Sequence, residues 1–268
     1  MTKIDLTGKR ALVTGGTQGI GEHICKELAA CGADVFINYF NEQEKGKAEN
    51  VARFLKHNYQ VQSWIVQGDV SKSEEVIKMF LELDEKMGGI DILINNAGVE
   101  STCHVLDLEE KEWDRIMGTN LKGTFLCSQQ AGKRMEKTGG GAIINISTIH
   151  DQVPRKGLSH YVTSKAGISM LTKSLALELA ESNIRVNAVS PGAIQTEANK
   201  KEIAKFGIEK FNNWIPLGRI GNVNDVAPTV AFLCSDLAEY TTGTEIYIDG
   251  AYLLSTIQYD PRPPRKEV

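Results

Sequence analysis

Arg10-Ala-Leu-Val-Thr-Gly-Gly-Thr-Gln-Gly-Ile-Gly21 is the stretch whose reading decides the fold. An apolar run, Arg10–Val13, stops at glycines spaced G-x-x-x-G-x-G (Gly15, Gly19, Gly21), and a helix-period pattern begins at once. Glycines let a chain turn tightly and bring backbone N–H groups close to an anion. A helix N-terminus adds a dipole that favours negative charge. The spacing is not G-x-G-x-x-G, and glycine-rich turns also serve purely structural ends. The place of this one, between a first strand and a first helix, points to a dinucleotide phosphate held by Gly15, Thr17, Gln18, Gly19, Ile20 and Gly21.

Outward from there the pattern repeats. Further strands are predicted at Asp34–Asn38, Val61–Gln67, Ile90–Ile94, Ala142–Ile146, Arg185–Val189 and Glu245–Ile248. Helices are predicted at Gly19–Ala30, Gln43–His57, Ser73–Lys86, Glu109–Lys137, Ser159–Ala180 and Val223–Ser235. Runs such as ILIN and AIINI are apolar without alternation, as strands buried on both faces are. The expected fold is α/β: a single-domain, Rossmann-like, doubly wound sheet of about seven parallel strands with helices on both faces. Residues 1–255 form that domain and 256–268 a tail, whose proline-rich, charged end Tyr259–Val268 is read as extended, mobile or laid on another subunit. Glu197–Trp214 breaks the rhythm and is the candidate lid.

Composition narrows the function. The chain has 268 residues, 41% of them hydrophobic, and a net charge of −4, which argues against a nucleic acid as main partner. Its five cysteines form no C-x-x-C pair and its histidines no ligand spacing, so free thiols and no metal are expected. His23 and His57 read as surface or packing residues on helices. No apolar run has the length of a signal peptide or a membrane span, so a soluble cytoplasmic protein without a membrane partner is expected.

Polar clusters fall at other strand ends. Asp69-Val70 follows the third strand and Asn95-Asn96-Ala97-Gly98 the fourth, at the edge where ligands of open parallel sheets bind. After the fifth strand come Ser147 and Thr148, then Tyr161-Val-Thr-Ser-Lys165 opening a long helix. Positions i and i+4 share a helix face. A lysine ammonium beside a phenol favours the phenolate, so Tyr161 is expected to have a lowered pKa and to transfer protons.

Seven motifs in order resemble the short-chain dehydrogenase/reductase family along nearly the whole chain. They are Thr14–Gly21, Asp69-Val70, Asn95–Gly98, Asn120, Ser147/Thr148, Tyr161–Lys165, and Pro191-Gly192 followed by Thr196. The resemblance implies an NAD(P)-dependent hydride transfer with Tyr161 as acid/base. Lys165 would bind the nicotinamide ribose, and Asn120 would hold a water relaying protons from Lys165. Asp69, Val70, Asn96, Ala97 and Gly98 would lie along the ribose and adenine, and Pro191, Gly192, Ile194 and Thr196 along the carboxamide and pyrophosphate. The family's catalytic hydroxyl lies thirteen residues before the tyrosine, which here is Thr148, with Ser147 in its place if the strand end is bulged. A homotetramer acting on a small molecule is implied as well.

No cation stands in the glycine loop or directly after the second strand (Asn38-Tyr-Phe-Asn41), and the acidic residue usual for NAD is missing too. The expectation leans slightly to NAD, with NADP also usable and Lys45 as the nearest distant cation. The stretches Ile94–Glu100, Ile144–Pro154, Pro191–Asn199 and Ile215–Gly221 most resemble the glucose 1-dehydrogenase branch. That branch implies Glu100, His150 and Asn199 around a sugar pocket, whereas Arg155-Lys156-Gly157 departs from it and would suit an anionic polyol. The expected reaction interconverts a secondary alcohol or hemiacetal and a carbonyl on a sugar or other polyhydroxylated compound. Two alternatives stand beside it: a 3-oxoacyl-thioester (acyl-carrier) reductase, and a non-catalytic cofactor-binding regulator.

Overall fold

A computed structural model describes residues 3–197 and 199–255. The strands are β1 (Arg10–Val13), β2 (Asp34–Tyr39), β3 (Ser63–Gln67), β4 (Ile92–Asn95), β5 (Gly141–Ile146), β6 (Ile184–Pro191), β7 (Ile194–Gln195), β8 (Gly221–Asn222) and β9 (Glu245–Ile248). The helices are α1 (Gly19–Ala30), α2 (Glu42–Tyr59), α3 (Ser73–Met87), α4 (Glu110–Met117), α5 (Gly123–Thr138), α6 (Ser159–Leu179), α7 (Lys200–Phe206), α8 (Ile208–Trp214) and α9 (Val223–Cys234). Seven strands make one parallel sheet in the order β3-β2-β1-β4-β5-β6-β9. This is the expected doubly wound sheet. The tail beyond residue 255 lies outside the described residues.

Successive strand residues face opposite layers, so both faces must be apolar. Ala11 and Val13 of β1 pack with Ile24 and Leu28 of α1 and Val226 and Val230 of α9. Leu12, between them in sequence, packs on the other side with Phe80 and Leu83 of α3 and Cys127 and Met135 of α5. The order of building reverses between β1, which pairs with β2, and β4, which also pairs with β1. A crevice therefore opens beyond the carboxyl ends of these two strands.

Three expectations change in detail. The long helix predicted over Glu109–Lys137 is two α-helices joined by a wider π turn, Gly118–Lys122. The turn places Asn120 inward, where its amide bonds the backbone of Val99 and the hydroxyl of Ser164. The candidate lid folds as α7 and α8, divided at Gly207, whose φ of +86° suits glycine. Two short strands not foreseen, β7 and β8, pair in parallel at its base.

A ladder of buried amides crosses the sheet below the crevice. Asn95 Nδ2 donates to Asn145 Oδ1 at 2.8 Å and to Ser128 Oγ at 2.9 Å. Asn145 Nδ2 donates to Thr172 Oγ1 at 2.9 Å, joining β4, β5, α5 and α6. Asn145 is fully buried, so its removal strands partners that water cannot reach. Asn145→Ala should lose about 2 kcal/mol of unfolding free energy in urea titrations, and a loss below about 0.5 kcal/mol would show that the ladder does not hold the layers together.

Candidate active site

The glycine loop closes the near end of the crevice. Gly15 and Gly19 have φ of +61° and +58°. A Cβ on Gly16 would come within 2.9 Å of Cys25 Sγ and 3.0 Å of Ile37 Cγ2. No side chain caps the start of α1: Gln18 precedes it without a capping bond. The first N–H groups of that helix and the side-chain-free loop suit a pyrophosphate, so the residues present fit a dinucleotide. Asn96 Nδ2 donates to the carbonyls of Thr14 and Gly15, each at 3.0 Å, and Thr14 Oγ1 accepts the N–H groups of Asn96 and Ala97.

Sequence reading missed Asn38. It is buried at the end of β2, where its Oδ1 accepts the Gly15 N–H at 3.2 Å and its Nδ2 donates to the Gly68 carbonyl at 3.0 Å. It thus ties the glycine loop to the end of β3. A polar residue in an otherwise apolar strand was the available signal. Lys45 is engaged with Glu42 at 3.0 Å, whereas Lys47 reaches the loop and donates to Gln18 Oε1 at 2.9 Å. Lys47, rather than Lys45, is the cation that the fold brings to the loop. Asp69 turns its carboxylate to the Ser71 N–H and hydroxyl, capping the turn after β3. Val70 is buried against Gly123.

From the loop a cleft of about 660 Å³ runs along the strand ends to α7 and α8. Ile20, Asn96, Gly98, Ser147, Thr148, Tyr161, Lys165, Pro191, Gly192, Ile194 and Thr196 line it. Gly15, Thr17, Gln18, Gly19, Gly21, Asp69, Val70, Ala97 and Asn120 do not; they stand behind or beside it. Thr148 hydrogen-bonds the Tyr161 phenol through its side chain. Ser147 instead turns its Oγ to the Lys165 carbonyl at 3.4 Å. β5 pairs with β6 in continuous register up to Ile146, the residue before Ser147.

Lys165 Nζ lies 5.8 Å from the centre of the Tyr161 ring and donates to the Ile146 carbonyl at 2.8 Å. Burial lowers its pKa to about 8, and the Glu100 carboxylate opposes that shift. The expected lowering of the Tyr161 pKa is corrected. Burial, with Glu100 adding to it, pushes the phenol above its ordinary value, and only the Thr148 hydrogen bond acts downward. The ammonium faces a carbonyl instead of the phenol oxygen, so desolvation dominates. Asn120 is a clamp in this structure: its side chain holds Val99 N–H, Val99 carbonyl and Ser164, and its own carbonyl accepts Thr124 Oγ1 at 2.7 Å.

The branch-specific residues divide. Glu100 is exposed at the mouth of the cleft, and His150 lines it with Nδ1–H donated to the Val153 carbonyl at 3.0 Å. Asn199 also lines the cleft, but its amide serves the loop: Oδ1 accepts the Thr196 N–H at 2.8 Å and Nδ2 donates to the Ile194 carbonyl at 2.7 Å. Arg155 and Tyr252 complete the polar wall, and Ile203, Phe211 and Trp214 of the lid region the apolar one. Among the described residues no group of three or more His, Cys, Asp or Glu could hold a metal, and no helix is long and apolar enough to cross a membrane.

A phenol bonded to a hydroxyl, with a buried amine behind it, can hold a carbonyl or alcohol oxygen and pass it a proton. A nicotinamide bound along the cleft would supply or accept the hydride. Known proteins agree with this chemistry. A family model described as Enoyl-(Acyl carrier protein) reductase matches residues 15–252. The 3-oxoacyl-acyl-carrier-protein reductase FabG of Staphylococcus aureus is 42% identical over 245 residues, 90% of this chain and 97% of its own. The 3beta-hydroxysteroid dehydrogenase 1 of Eggerthella lenta is 38% identical, covering 93% of this chain and 95% of its own. A gluconate 5-dehydrogenase of Burkholderia cenocepacia, solved with NADP and tartrate, superposes with a TM-score of 0.88 at 31% identity over 95% of this chain and 98% of that one. The chain therefore belongs to the short-chain dehydrogenase/reductase family of NAD(P)-dependent oxidoreductases.

Proposed function

We propose that this enzyme interconverts a secondary alcohol or hemiacetal and a carbonyl on a small polyhydroxylated substrate, a sugar or a sugar acid. The observation that carries the reading is the polar wall of Glu100, His150 and Arg155 beside the Thr148–Tyr161 pair. A carboxylate, an imidazole and a guanidinium supply acceptors and donors for several hydroxyls, and the guanidinium suits a substrate carboxylate. The structural likeness to a gluconate 5-dehydrogenase supports this choice. Tyr161 is the acid/base, Thr148 holds the reacting oxygen, and Lys165 supports the cofactor ribose. Asn120 positions Ser164 and the Val99 backbone around them.

The relatives favour a second reading, reduction of a 3-oxoacyl thioester, because FabG proteins of Staphylococcus aureus and Aquifex aeolicus are 42% and 40% identical to the chain. Lys156, Lys200, Lys201, Lys205 and Lys210 are exposed on the segments that frame the mouth, which suits an acidic carrier. The intact Tyr161, Lys165 and Asn120 set speaks against a non-catalytic regulator. Reduced-cofactor turnover measured across aldoses, sugar acids, polyols, steroids and 3-oxoacyl thioesters separates the readings. Turnover of sugars or sugar acids, with KM rising about tenfold in Glu100→Ala or His150→Ala, is the expected outcome. Turnover confined to acyl thioesters sinks the first reading and supports the second.

The acid/base assignment has its own test. Tyr161→Phe should cut turnover at least about a hundredfold while cofactor binding persists, and Thr148→Ala should cost more than Ser147→Ala. A Phe variant that turns over normally would remove Tyr161 from the role.

Both cofactors are expected to bind, since β2 ends in Asn38-Tyr39-Phe40-Asn41 with no acidic residue and Lys47 stands at the loop. Lys47→Ala should weaken NADP about threefold and leave NAD unchanged in fluorescence titrations. Equal weakening of both would place Lys47 away from the 2′-phosphate.

A further inference from the structure

Behind the cleft the carboxyl groups of Asp151 and Glu245 meet. Thr148 heads a tight turn, Ile149–Asp151, and its Oγ1 accepts the His150 N–H at 3.4 Å. Asp151 ends that turn. Its Oδ2 accepts Ser169 Oγ of α6 at 2.8 Å, Tyr247 Oη of β9 at 3.0 Å and Gln152 Nε2 at 3.0 Å. Its Oδ1 is fully buried and has no partner in hydrogen-bond geometry among the described residues. Glu245 of β9 accepts the hydroxyls of Ser190 and, at 3.1 Å, Ser169, and its carboxyl is within hydrogen-bond reach of Asp151.

We propose that Asp151 and Glu245 are a positioning pair, two carboxyls sharing one proton, which fixes the turn carrying Thr148 and His150 against the last strand of the sheet. The proposal rests on the reading of Thr148 and Tyr161 as the reacting pair. Two half-buried carboxylates in contact repel each other when both are ionised. Ser169 has a single hydroxyl proton and cannot satisfy both. A proton held between the carboxyls turns the repulsion into a hydrogen bond that links turn, α6 and β9. Burial, with Asp151 adding to it, holds the Glu245 pKa above its ordinary value, as such sharing requires.

The groups around the pair leave the proton to it. From β9 Tyr247 donates to Asp151, and burial, with the same two carboxyls adding to it, holds its phenol protonated. From α6 and β6 the neighbours are the hydroxyls of Ser169 and Ser190. His150 turns to Val153, and the Lys165 ammonium faces the Ile146 carbonyl. The Ser169 hydroxyl also lies 3.3 Å from the Lys165 carbonyl, so the pair sits one helical turn behind that lysine. A shift of the turn would move Thr148 relative to Tyr161.

The sign of the pH effect follows. A carboxyl with a raised folded-state pKa keeps its proton where the unfolded chain has lost it. Stability is therefore lost as pH rises from the ordinary value of 4.5 through the raised one. Glu245→Gln replaces the shared proton by a permanent N–H donor. Melting of the full chain between about pH 5 and pH 9 should show a falling midpoint for the wild type, and at least about a twofold smaller fall for Glu245→Gln. With a substrate that turns over, kcat of the wild type should decline at alkaline pH while Glu245→Gln holds it, KM changing little. Asp151→Asn should reproduce both results. Infrared difference spectra of the wild type at neutral pH should show a protonated carboxyl, a measurement that needs no variant. Equal melting slopes in wild type and Glu245→Gln, or no protonated carboxyl, overturn the shared proton; unchanged alkaline limbs of kcat overturn the positioning role. A fully active Tyr161→Phe would sink the acid/base reading alone, leaving the melting and infrared results to judge the pair.

Discussion

The side-chain amide of Asn96 joins the two strands at which the sheet reverses its order of building. By donating to the carbonyls of Thr14 and Gly15 it occupies acceptors that the diverging backbones of β1 and β4 leave open. The Thr14 hydroxyl returns the contact by accepting the N–H groups of Asn96 and Ala97. This exchange holds the crevice open at a set width and presents the glycine loop beside it. A Cβ on Gly21 would run into the Asn96 amide and the Gly15 carbonyl, so the start of α1 can approach only because that residue is glycine. The same segment then reaches the chemical end. Gly98 lies against Asn120 and the Lys165 ammonium, Asn120 bonds Ser164, and Ser164 donates to the Tyr161 carbonyl at 2.7 Å. A polar spine thus connects the anion-binding loop to the helix that carries the phenol.

Much of this frame is legible in the sequence, for a physical reason. Strands buried on both faces must be apolar at every position, so ILIN and AIINI announce themselves and the polar residues that end them mark the ligand edge. The i, i+4 spacing of Tyr161 and Lys165 puts both on one helix face wherever the helix packs. Strand starts are less legible. Val61 and Ile90 are apolar but precede β3 and β4, because burial in a loop gives the same signal as burial in a strand.

The features that escaped depend on partners distant in the chain. Asn38 acts through Gly15 and Gly68, 23 and 30 residues away, so its polarity within an apolar strand marks it without naming its partners. Asn199 looks like a sugar ligand by resemblance, yet its amide is consumed by the backbone of its own loop. Asp151 and Glu245 are 94 residues apart in sequence and meet only because β9 docks beside the turn, with Ser169 as their common donor. The π turn at Gly118–Lys122 is hidden because its apolar pattern is that of the continuous helix it interrupts.

The Tyr161 phenol shows why spacing alone misjudges electrostatics. Proximity of an ammonium lowers a phenol pKa only where the field between them outweighs the loss of water, and here the ammonium spends its hydrogen bond on Ile146. Desolvation then acts in opposite directions on the two groups. It favours the neutral phenol and the neutral amine, so the floor of the cleft resists charge separation. Glu100 at the mouth breaks the symmetry: its carboxylate favours the protonated form of both Tyr161 and Lys165.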